Sequence, residues 1–129
     1  VPSTQGRIAT RTRLAALLSG GIGLMAVVAG SQVLTGQQPG YTVINWLPLY
    51  NVAAGLVSLV VSVVLILRRR RHARLAAGLI LTAHALVLGT LVAAYRDVAA
   101  IESLTAMTVR VVVWVLVVWL LGGRRRGAG

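Results

Sequence analysis

A chain of 129 residues that is 57% hydrophobic and only 12% charged, with a mean hydropathy of +0.85, is too apolar for a soluble globular domain. Its formal charge of +11 comes from 13 arginines and no lysine, set against only Asp97 and Glu102, so the charge is confined to a few short stretches. The absence of cysteine excludes disulfide and thiolate-metal chemistry, and the absence of lysine excludes a Schiff-base cofactor.

Between Arg13 and Arg68 no acidic, basic or histidine residue interrupts the apolar sequence. That run is too long for one membrane crossing of about 20 residues. The turn-forming stretch from Thr35 to Gly40, followed by Pro48, divides it. The first span is expected over about 14–34 and the second over about 46–67, with a third over 73–95 and a fourth over 103–121. Short connections predict an all-α, up-and-down bundle of four transmembrane helices in a single domain over residues 1–129.

Charge orients the bundle. All but Arg96 and Arg110 of the 13 arginines fall before helix 1, between helices 2 and 3 or after helix 4. The positive-inside rule therefore predicts that both termini are cytoplasmic. Tyr41, Trp46, Tyr50 and Tyr95 gather near the opposite boundary, where amphipathic rings favour the interface. Arg7, Arg11 and Arg13, an apolar core and Val27-Val28-Ala29 before Gly30 also resemble a cleavable secretion signal, but a retained signal-anchor helix is the simpler reading. The loop arginines read as topology signals. Arg68, Arg69, Arg70, Arg71 and Arg74 are in addition candidates for anionic lipid headgroups, and no nucleic-acid partner is expected.

Small residues map the helix contacts, because burial of apolar surface drives little association in lipid. Helix 1 carries Ala15, Ser19 and Gly23, with further rows at Ala16 and Gly20 and at Ala26 and Gly30; helix 2 carries Ala54, Ser58 and Ser62; helix 3 carries Ala85, Gly89 and Ala93. Helix 4, valine-rich with Trp114 and Trp119, is expected at the periphery against lipid or another subunit.

Polar side chains at membrane depth are expensive and mark candidate sites. His84 lies near the predicted midplane and Arg110 nearer the outer face, their depths differing by about 6 Å. Glu102 and Arg110 share nearly one face of helix 4 with Ala106 between them. Asn51 and Ser58 on helix 2 complete a candidate outward-facing ligand-binding or structural cluster of Asn51, Ser58, His84, Glu102 and Arg110, with Ser31 and Gln32 nearby. The bland alternatives are that Arg110 extends up to Asp97 or Glu102 as an anchor, and that His84 bonds Ser58 or a backbone carbonyl. His84 is also the candidate metal or haem ligand, with Met107 as a soft second donor. A haem would need a second histidine from another chain, and the inventory points to no resident cofactor.

With no carboxylate at midplane depth, proton-coupled export is disfavoured. The preferred expectation is a non-catalytic accessory or structural subunit of a membrane complex, with a pocket for a lipid or small ligand. The alternatives are a homo-oligomeric channel or small-solute permease, and a redox module built on His84. The arginine-for-lysine usage suggests a GC-rich bacterial source, hence a bacterial inner membrane and association as a homo-oligomer or with other membrane subunits.

Overall fold

The computed structural model describes residues 3–122, so the predicted cytoplasmic Arg124, Arg125 and Arg126 lie outside the described residues. Four helices account for most of them: α1 Thr4–Leu34, α2 Leu47–Ile66, α3 Arg70–Ala94 and α4 Ile101–Leu121. Each is long and apolar enough to cross a membrane. The large side chains left outside are apolar too, Leu17 and Leu79 each being 72% exposed, as lipid-facing surfaces require.

Helix α1 begins ahead of its apolar span because local chemistry starts it there. The Ser3 hydroxyl caps the Gly6 amide at 3.1 Å, and the hydroxyls of Thr10 and Thr12 bond back to the carbonyls of Gly6 and Ile8. The helix is about 46 Å long, so its arginine-bearing first turns extend beyond a hydrocarbon core about 30 Å thick. Gly36 and Gly40, at φ +98° and +82°, turn the chain back, and Pro48 sits in the first turn of α2, where its missing amide costs nothing. The α2–α3 turn is only three residues long, and Arg68 pays for that brevity with a left-handed φ of +63°.

Helix α1 packs most extensively on α2 and also meets α4, while α3 meets α2 and α4. The α1–α2 seam is a backbone-to-backbone approach. A methyl group at Gly23 would lie 2.8 Å from the Gly55 carbonyl oxygen, and one at Gly55 would lie 2.7 Å from that of Gly23. Gly30 is pressed equally closely on the Pro48 carbonyl, and the Ser62 hydroxyl crosses the seam to the Ala16 carbonyl at 2.8 Å. The small-residue surface of helix 1, dense enough to predict two separate helix contacts, lies along α2 at Gly20, Gly23 and Gly30, and α1 also meets α4.

Two expectations about packing are corrected. Helix α4 is not peripheral: Met107, Arg110, Trp114, Val117, Leu120 and Leu121 are buried, and Trp114 is 0% exposed. Its branched and aromatic side chains fill the volume that small residues elsewhere leave open. The helix 3 stripe fails in the opposite sense. Ala85, Gly89 and Ala93 are exposed, and α3 instead buries Ala73, Ala77, Ile80, His84 and Leu91.

The interior has two apolar clusters. One joins Ala15, Ala16, Val61, Leu65, Ala77, Ile80, Trp114 and Val117; the other joins Ile44, Leu47, Leu91 and Met107 with the partly buried Trp46, Tyr50 and Tyr95. Along α2, α3 and α4, Asn51, His84 and Arg110 lie between these clusters, with Tyr50 at the edge of the second.

Candidate functional site

Each of these four polar residues is placed by its helix. Tyr50 and Asn51 are consecutive on the first turns of α2, so their side chains diverge by about 100°. His84 lies about 15 Å from the Ala94 end of α3, and Arg110 about 14 Å from the Ile101 end of α4, at 1.5 Å per residue. The 6 Å difference in depth inferred from the sequence therefore nearly vanishes, because α4 starts before Ser103 and α3 stops before Tyr95.

The Tyr50 hydroxyl and His84 Nδ1 are 2.7 Å apart, with the rings edge to face at a centroid separation of 5.6 Å. The Trp114 ring lies near the imidazole as well, at 6.4 Å between centroids and tilted by 44°. His84 is 2% exposed, so a haem or metal reaching it would first have to displace these rings. Among the described residues no three His, Cys, Asp or Glu side chains gather as a metal site. The expected partners of His84, Ser58 or a backbone carbonyl, are not the ones it finds. Ser58 bonds its own helix at the Ala54 carbonyl and packs against Gly23 of α1.

Arg110 reaches across the bundle. Its Nη1 donates to Asn51 Oδ1 on α2, a helix with which α4 has no extensive packing. The guanidinium finds no acidic partner: among the described residues no ion pair forms, and Asp97 and Glu102 are both exposed. The anchor to Asp97 or Glu102 is corrected to a neutral amide deeper in the bundle. Arg110 is only 8% exposed, and a guanidinium carries five donors, so most of its hydrogen-bonding capacity is left for something other than Asn51.

That capacity borders a cavity of about 90 Å³ whose polar wall is Tyr41, Asn51, Ser103 and Arg110. Its remaining lining is apolar, from α1, α2, α4 and Val43 of the α1–α2 connection. On the other side of Arg110 the interior closes, since Trp114 and Val117 are 0% exposed and Val61 and Leu65 nearly so. Of the five residues singled out from the sequence, Asn51 and Arg110 are bonded together, His84 is held at a similar depth by Tyr50, and Ser58 and Glu102 stand apart. Sequence reasoning placed Tyr50 at the membrane interface as an anchor and so missed its inward hydroxyl. It also missed Tyr41 and Ser103 as cavity residues. What the sequence signalled was Asn51 and Arg110 themselves, rare polar residues within apolar spans.

At the opposite end of the bundle the arginines also find partners. Arg70 Nη2 donates to the carbonyls of Leu120 and Leu121 at 3.0 and 3.2 Å, satisfying the last turn of α4. Arg11 of α1 lies over the Trp119 ring at 4.8 Å. Arg68, Arg69, Arg71 and Arg74 remain exposed. No protein family, no curated protein and no solved structure matches the chain.

Proposed function

We propose that this is a small, non-catalytic integral membrane protein that serves as an accessory subunit in a bacterial inner membrane, and that its cavity on the outer side of the bundle accepts a lipid or small ligand. The observation carrying this reading is the Arg110–Asn51 bond beside an open cavity, in a helix whose residues after Arg110 are all valine, leucine or tryptophan. A strongly polar group is kept at membrane depth only where it meets partners or lines a cavity, and this one does both.

In this reading the four helices run up and down with both termini in the cytoplasm. The exposed Arg68, Arg69, Arg71 and Arg74 contact anionic headgroups of the inner leaflet, each worth about 1 kcal/mol. The closed apolar interior around Trp114 and Val117 argues against a conducting path through one chain, and the enclosure of His84 argues against a redox centre there. Native mass spectrometry after gentle extraction from the membrane tests the proposal. Foreign subunits or a retained small molecule are expected; a ligand-free homo-oligomer would overturn the accessory role and favour a channel assembled between chains.

A further inference from the structure

Arg110 presents an unbalanced account of charge. Its one hydrogen-bond partner is a neutral amide, the nearby Tyr41 and Tyr50 offer neutral hydroxyls, and the acidic residues are on the surface. Water in the cavity would satisfy donors but would leave the positive charge uncompensated in a low-dielectric setting. A planar guanidinium presents paired N–H groups that match the two oxygens of a carboxylate or phosphate. Tyr41, Ser103 and Asn51 add polar atoms to the same wall.

Size and access narrow the ligand further. About 90 Å³ is well below the roughly 300 Å³ at which sites for whole small molecules begin, so the cavity suits a head and leaves no room for a body. Ala29 of α1 and Ala106 of α4 both line the cavity and are both exposed, so it reaches the surface between these two helices. The neighbouring surface there carries Met25 and Val28 on α1 and Val109 on α4, all exposed and apolar. A hydrocarbon chain attached to the head would lie along that surface in the lipid.

We propose that the cavity holds the oxyanionic head, carboxylate or phosphate, of a membrane amphiphile, with Arg110 as its charge partner and its tail leaving between α1 and α4 past Ala29 and Ala106. Asn51 is a positioning residue that holds the guanidinium toward the cavity. This inference rests on the proposed lipid or small-ligand cavity and specifies its occupant.

The test is native mass spectrometry of the full chain in a neutral detergent with four probes: oleate, oleoyl lysophosphatidate, oleyl alcohol and acetate. One oleate or lysophosphatidate per chain is expected to be retained, and the uncharged alcohol of the same tail length is not. Arg110→Gln should lower retention at least about tenfold, the scale of lost charge-assisted hydrogen bonds. Ala106→Leu, which narrows the exit while leaving Arg110 in place, should also lower it, and this variant decides the matter if Arg110→Gln does not fold. Wild-type retention of oleate by both variants would overturn the proposal. Acetate displacing oleate at equal concentration would make this a free-anion site and overturn the lipid assignment. Equal retention of oleyl alcohol and oleate would overturn the charge assignment but leave a lipid cavity standing, whereas retention of none of the four probes, with no native molecule carried through extraction, would remove the cavity reading as well.

Discussion

The Tyr50–His84 contact shows how much one hydroxyl decides in a membrane protein. Tyr50→Phe leaves the ring packing in place and removes only the partner of His84 Nδ1, an imidazole that is 2% exposed. The expected loss is about 1 kcal/mol, because hydrogen bonds between membrane helices average under that figure and an abandoned buried group adds to it. Unfolding in mixed micelles reads this directly, and a double-mutant cycle with His84→Phe should recover most of it. If the two losses simply add, the hydroxyl and imidazole are not coupled and the polar layer is held by packing alone. At Arg68 the sign reverses. A left-handed φ of +63° costs a non-glycine residue about 1 kcal/mol, so Arg68→Gly should leave stability unchanged or raise it, while Arg68→Val should lower it.

Between elements, the glycines separate into two classes that composition cannot distinguish. Gly23 and Gly55 face each other's carbonyls, so Gly23→Leu must push α1 off α2 and should destabilise the protein by about 3 kcal/mol, the upper part of the range for overpacking a core. A methyl group at Gly89 would meet nothing within 4 Å and the position is exposed, so Gly89→Leu should be tolerated in the same unfolding assay, although the sequence offers Gly89 in an equally regular small-residue stripe. The difference explains which features were legible. Helix number and approximate bounds follow from hydropathy alone, since each span must cover the same hydrocarbon thickness. The contacting face of α1 was legible because nearly every small residue on it is used. The burial of α4 was not, because a valine-rich helix has no polar side to betray which way it turns, and in lipid an apolar face is equally content inside or out. The candidate site was half legible for the same reason: rarity singled out His84, Arg110 and Asn51, but their partners depend on which helices adjoin. Arg70 adds a prediction at this scale. Its two bonds to the carbonyls of Leu120 and Leu121 tie the start of α3 to the end of α4, so Arg70→Ala should loosen that end and raise hydrogen exchange in the last turn of α4 while leaving the amides around Met107 unchanged.

The whole molecule is polarised along the bundle axis, and the tertiary contacts show which segments share an end. Arg11 over Trp119 and Arg70 on Leu120 and Leu121 bring the start of α1, the start of α3 and the end of α4 together. At the other end the Trp46 indole donates to the Tyr95 hydroxyl at 3.3 Å, joining the start of α2 to the end of α3. One end thus carries most of the arginines, and the other carries Tyr41, Trp46, Tyr95 and the two carboxylates with only Arg96, the kind of asymmetry that sets orientation during insertion. Because the chain has no cysteine, its sidedness can be read one residue at a time. Gln38→Cys and Asp97→Cys, in the two connections at the tyrosine-rich end, should react with a membrane-impermeant maleimide in intact cells. His72→Cys, among the arginines, should react only after permeabilisation. The inverse pattern would place the Arg110 cavity on the cytoplasmic side and the exposed arginines against the outer leaflet. Labelling of Gln38→Cys and His72→Cys from the same side would be a deeper failure, since α2 could not then cross the membrane and the buried cost of Arg110 would need another explanation.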